Sequence, residues 1–166
     1  RGVLGRDGNG DPRALLPLLR DAHLGVRIEA LQAVLPRLGP ELPEVLAAVE
    51  ELIGFLALPP YDPRYAYASG FLEQHAQALS QPLCRGLRHA DPGVRREAMR
   101  ILSDRRVEAA GPDLVGIYGT LPPEGREEVL HRIVNLKAGD AAFFVRVARE
   151  GNPSEQAVAM RELGAS

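Results

Sequence analysis

The side chains of this chain that could do chemistry are its arginines, one tyrosine cluster and four separated histidines. Only the arginines recur in order. Arg27, Arg64, Arg95 and Arg126 follow one another at intervals of 37, 31 and 31 positions. A guanidinium is permanently charged and carries a rigid fork of donors, so it recognises carboxylates and phosphates and does not shuttle protons. Two roles are open to such a ladder. It can face outward and hold an acidic partner. It can also pair with the turn carboxylates Asp21, Asp62 and Asp91 and fix how neighbouring helices stack, and this structural reading carries more weight.

A second basic group gathers between residues 85 and 106, where Arg85, Arg88, Arg95, Arg96, Arg100, Arg105 and Arg106 outnumber Asp91, Glu97 and Asp104. Arg96 and Arg100 are one helical turn apart and would share a face. That face could meet phosphate or an acidic protein surface, or simply be solvated. The third feature is Pro59-Pro60-Tyr61-Asp62-Pro63-Arg64-Tyr65-Ala66-Tyr67, which holds three of the four tyrosines. Stiff amphipathic rings at a turn suit protein recognition. In the plainer reading Tyr67 packs with Phe71, four residues on, while Tyr61 and Tyr65 cover the turn. The binding residues expected on these grounds are Tyr61, Tyr65, Arg96 and Arg100.

Catalytic patterns are missing. His23, His75, His89 and His131 form no His-Glu-x-x-His pair, and there is no Gly-x-Ser-x-Gly, Walker or dinucleotide-binding glycine motif. Glu127, Glu128 and His131 have helical metal-ligand spacing, but a single histidine with no second cluster is a poor zinc site. No metal and no cofactor is expected, and no enzymatic activity. The one cysteine, Cys84, excludes an internal disulfide and reads as a buried small hydrophobe.

Composition narrows the partners further. A net charge of −2 and a pI near 6.1 argue against a strongly cationic binder of nucleic acid or anionic membrane. No run of 18 apolar residues is present, so no membrane span is expected, and a cytoplasmic location follows. Lys137 is the only lysine; with abundant Ala, Gly and Pro, this suggests GC-rich bacterial coding.

The elements that must position these residues are helices. Asp11-Pro12 opens a short Leu-rich helix, and Val26, Ala30, Leu31, Val34, Leu35 and Leu38 recur at helical spacing until Gly39-Pro40 stops them. Further helices are predicted over 43–58, 64–79, 79–89, 94–105, 112–121, 126–136, 141–149 and from 153 to about 163, with a kink at Pro82. Gly116 and Gly119 weaken the helix over 112–121. Gly25-Val26-Arg27-Ile28-Glu29-Ala30-Leu31 returns 68 positions later as Gly93-Val94-Arg95-Arg96-Glu97-Ala98-Met99. Arg95, Glu97, Ala98 and Met99 are matched 31 positions later by Arg126, Glu128, Val129 and Leu130. Self-similarity at this period describes stacked helix pairs, about five of them.

Leu16, Leu19, Asp21, Val26, Arg27, Ala30 and Leu35, and again Leu83, Leu87, Asp91, Val94, Arg95, Ala98 and Leu102, give a pattern that resembles the HEAT-like repeats of α-solenoid proteins. Gly125-Arg126 departs from the Val-Arg of that pattern, and Gln156 stands where the arginine would be. The resemblance implies an all-α superhelix over residues 11–166 as one HEAT-like repeat domain, after a lead-in segment at 1–10. In it Asp21, Arg27, Asp91, Arg95 and Arg126 are structural repeat positions. It implies a non-catalytic scaffold whose partner is another protein, with self-association through an uncapped end also open. Two other activities occur with such repeats. A HEAT-like DNA glycosylase or nucleic-acid-binding module would need a basic groove, aromatics facing DNA and an assisting carboxylate. A pigment-lyase-like or chaperone module would bind a tetrapyrrole.

Overall fold

Three Asp-Pro pairs and one Asn-Pro pair begin helices, and the reason is local. In the computed structural model, which describes residues 10–165, Asp11, Asp62 and Asp91 each turn a carboxylate back onto the next helix's first amides. Their acceptors take Arg13 N at 2.9 Å, Arg64 N at 2.9 Å and Gly93 N at 2.7 Å. Asn152 Oδ1 takes Glu155 N at 2.9 Å in the same way. Proline follows each cap because the first helical residue needs no N–H and benefits from a fixed φ.

The described residues form nine α-helices and three short 3-10 helices, with no strand among them. The α-helices are α1 (Leu24–Leu38), α2 (Pro43–Gly54), α3 (Pro63–Gln74), α4 (Ser80–Gly86), α5 (Pro92–Asp104), α6 (Gly111–Tyr118), α7 (Pro123–Asn135), α8 (Ala141–Glu150) and α9 (Pro153–Ala165). None is long and apolar enough to cross a membrane. Nearly all of the expected lead-in segment lies outside the described residues.

Four local details differ from expectation. The first helix, Pro12–Arg20, is 3-10 rather than α; Pro17 has no N–H for the Arg13 carbonyl and its ring would crowd it. Val26 is 37 % exposed. It lies in the first turn of α1, at the margin of the face that Ile28, Leu31, Val34 and Leu35 bury. The helix expected over 64–79 stops at Gln74. Tyr67 is 53 % exposed, so it is Phe71 that packs inward.

The 31-residue period is visible in the backbone. Helices α5 and α7 begin and end 31 positions apart. They also close in the same way. Arg106 and Lys137 both adopt φ of 53°. Around them, Arg106 N reaches Ser103 O and Val107 N reaches Leu102 O, while Lys137 N reaches Val134 O and Ala138 N reaches Ile133 O. This paired closure satisfies the last carbonyls of a helix and ordinarily uses glycine in the left-handed position. Lys137→Gly is therefore expected to stabilise the protein by about 0.5–1 kcal/mol, net of the greater freedom glycine adds to the unfolded chain. Urea unfolding of the two proteins side by side checks it; an unchanged or lower midpoint would show the conformation carries no strain.

The helices gather into two compact units that divide within α5, the first running to Ala98 and the second from Met99. In the first, the 3-10 helix packs on α1 and α2, α1 also packs on α2 and α3, and α2 packs on α3 and α4. Its centre is Leu31, Val34, Val45, Leu72, Leu79 and Leu83, all fully buried. In the second, α6 packs on α7, α8 on α9, and α7 on α9. Ile101, Leu102, Leu114, Leu130 and Ile133 fill that core. Each unit would bury about 1.5–3 kcal/mol per such side chain relative to exposure.

His75 explains where α3 ends. It caps the helix C-terminus and stacks on Phe71 with ring centroids 4.6 Å apart. Its Nε2 is buried and has no hydrogen-bond partner. Burial alone lowers its pKa from the ordinary 6.5. The unfolded chain then binds a proton at a pH where the folded chain still refuses one. The His75 contribution is complete above about pH 6.5 and is lost as pH falls below that value toward the lower folded pKa. His75→Phe is expected to flatten this part of the stability–pH curve between pH 7 and 5; an identical slope in both proteins would reject the assignment.

Candidate functional site

Tyr61 is held out by its own turn. Asp62 N donates to Pro59 O at 2.9 Å, which closes a turn with Pro60 and Tyr61 at its centre. The Asp62 carboxylate then grips the Arg64 guanidinium twice, Oδ1 to Nε at 3.2 Å and Oδ2 to a terminal nitrogen at 2.9 Å. That guanidinium holds the Asp62 carboxyl below the usual carboxylate range. The Arg64 Cζ lies 5.7 Å from the centre of the Phe55 ring. Three prolines, a two-point ion pair and a cation–π contact thus brace one loop. At its tip Tyr61 is 88 % exposed, with Tyr67 outward on α3 and Tyr65 half-buried.

Arg96 is exposed on α5. Arg100, a turn further along, is partly covered and lies 3.6 Å from Asp104 of the same helix. Asp104 is also bound by Arg132 of α7 at 3.0 Å. Part of the positive charge expected on this helix is therefore matched locally.

The recurring arginines do not share one partner type. Arg27 pairs with Glu51 of α2 at 3.1 Å, while Asp21 accepts from His23 N. Arg64 takes Asp62, as described. Arg95 donates to the carbonyls of His89 at 2.7 Å and Ala90 at 3.0 Å, and Asp91 caps α5 instead. Arg126 reaches Glu155 of α9 at 3.3 Å. Only Arg64 pairs with the aspartate of its own turn; Arg27, Arg95 and Arg126 find other acceptors, and the turn before Arg126 contains no aspartate. His131 Nε2 lies 3.9 Å from Glu127, and no group of three metal-ligating side chains occurs among the described residues.

Glu155 was not singled out by its sequence, and it is the most unusual ionisable group here. It has no exposed surface. Its Oε2 accepts the Tyr118 hydroxyl at 2.5 Å, and its Oε1 accepts Asn152 Nδ2 at 2.9 Å and Arg126 Nε at 3.3 Å. Burial, then the Glu155 bond, pushes the Tyr118 phenol well above its ordinary value. The cluster lines a cleft of about 120 Å³ together with Gly119, Arg146, Val147, Glu150 and Gly151. One signal was in the sequence: Asn152 and Glu155 have capping-box spacing. The side chain does not close the box on the Asn152 amide, because Tyr118, 37 residues upstream, draws it inward.

No protein-family model matches this chain, and no curated protein matches it.

Proposed function

We propose that this protein is a non-catalytic binding module of stacked helix pairs, an α-solenoid of the HEAT-like kind, whose partner is another protein. The observation that carries the proposal is Tyr61, 88 % exposed at the tip of a proline-locked, ion-braced turn. Holding a large apolar ring in water gains a folded chain nothing. Burying it against a partner at little conformational cost gains a great deal. Supporting the repeat architecture is the way alternate helices touch. In the first unit α1 meets α3 and α2 meets α4; in the second α7 meets α9. Stacked hairpins make such contacts with their neighbours.

The test is affinity capture by the full chain from soluble lysate of its native host, with and without nuclease, read by mass spectrometry. A stoichiometric protein that survives nuclease and is lost with Tyr61→Ala plus Tyr67→Ala supports the reading. Hot-spot aromatics of this kind weaken a complex by about thirtyfold or more when truncated. Retention of the same protein by the double variant would move the contact surface elsewhere, with Arg96→Glu as the next variant. Recovery of nuclease-sensitive material alone would overturn the reading in favour of nucleic acid.

A further inference from the structure

We infer that the cleft beside Glu155 in the second unit is a carboxylate-binding site, with Arg126 and Arg146 as its two recognising groups. The inference is independent of the Tyr61 surface.

Arg146 lines the cleft and is exposed. Among the described residues it has no hydrogen bond and no ion pair; its only close contact of note is the Phe143 ring, 5.8 Å below Cζ. Glu150 stands four residues along the same helix, at a spacing that often gives a pair, and lines the same cleft. The two are nevertheless not paired. The Phe143 ring carries the guanidinium on its face, and Phe143 is itself fixed by edge contacts to Tyr118 and Phe144. Arg146 is thus presented with its donors open.

Arg126 is the complementary half. Glu155 takes its Nε only, which leaves the two terminal nitrogens without an acceptor among the described residues. The buried carboxylate is in turn gripped by Tyr118 and Asn152. A buried charge of this kind contributes little to stability by itself, but it orients Arg126 at the mouth of the cleft. Glu155 is a positioning residue in this arrangement.

The ligand class follows from size and charge. A cleft of about 120 Å³ is well below the ~300 Å³ of ordinary small-molecule pockets, so it takes one functional group. Two arginines and two glutamates line it, which sets a formal charge of zero. A dianionic phosphate would meet Glu150 and Glu155 with its second charge. A planar monoanionic carboxylate matches guanidinium forks in shape and charge.

The test is heteronuclear NMR on the full chain, following the Gly119 and Gly151 amides during titration with acetate, an acidic peptide carrying one glutamate, or inorganic phosphate. Saturable shifts with acetate and the peptide are expected, with affinity reduced by about tenfold or more in Arg146→Ala. Arg149→Ala removes an exposed arginine outside the cleft and should bind as the parent does. Arg146 is exposed and unbonded, so its loss should leave the fold intact; Arg126→Lys gives a second variant, expected to keep charge and lose affinity. A peptide that binds more tightly than acetate identifies the source as a protein side chain; equal affinity identifies free small carboxylates. Phosphate binding more tightly than acetate would overturn the proposal. So would no saturable shift, or an Arg146→Ala protein that binds normally.

Discussion

Glu155→Ala is expected to cost the second unit about 3–5 kcal/mol, the usual result of removing one member of a buried ion pair. Three donors lose their acceptor at once: the Tyr118 hydroxyl, Arg126 Nε and Asn152 Nδ2. Against a total stability of about 5–15 kcal/mol for a domain, that loss would leave the unit marginal at room temperature. Urea denaturation followed by circular dichroism measures it. Glu155→Gln keeps the shape and one acceptor and should fall between the alanine variant and the parent. An alanine variant within about 0.5 kcal/mol of the parent, the range of ordinary surface changes, would mean the cluster does not form. The pH dependence provides a second arm. Because the Tyr118 pKa is raised above its ordinary 10.0, the unfolded chain gives up the phenolic proton first. The Tyr118 contribution is complete below about pH 10 and declines as pH rises above it. Tyr118→Phe should remove that alkaline slope. If it leaves the slope unchanged, another group is responsible.

Much of this fold could be read from the sequence because its signals are local. Asp11-Pro12, Asp62-Pro63 and Asp91-Pro92 state where helices begin in terms of one side chain and the next two amides. Gly39, at φ of 77°, states where α1 ends. The 31-residue register of Arg95 with Arg126 reappears as matching helix limits. What could not be read depends on long-range partners. Arg27 has Asp21 six residues away and still pairs with Glu51 of α2, while Asp21 accepts from the amide of His23. The end of α3 at His75 is set by ring stacking and burial, which no spacing announces. The candidate surfaces divide in the same way. The exposed Tyr61 follows from the prolines around it, whereas Glu155 looks like an ordinary capping-box glutamate until Tyr118 is placed beside it.

Gly151 is the other position where a small change should have a large effect. Its φ of −73° is open to any residue, so the demand for glycine here is one of space. A Cβ at 151 would lie 2.7 Å from the Val147 carbonyl oxygen and 2.9 Å from both Cβ and Oε2 of Glu155. The first of these is backbone, held by the hydrogen bond from Gly151 N at 2.8 Å, and cannot swing aside as a side chain would. Gly151→Ala must therefore push α9 away from α8 or break the last turn of α8. Overpacking of this kind costs about 1–3 kcal/mol, more than the ~0.4–1 kcal/mol that alanine returns by restricting the unfolded chain. Gly54, with open space where its Cβ would be, gives the matched control in the first unit, where the same substitution should be neutral or stabilising. Combining Gly151→Ala with Glu155→Ala separates the two clashes. The Val147 contact survives loss of the carboxylate, so most of the cost should persist in the double variant. If the cost vanishes instead, the clash resides in the Glu155 carboxylate alone, and the turn between α8 and α9 has room that its geometry denies.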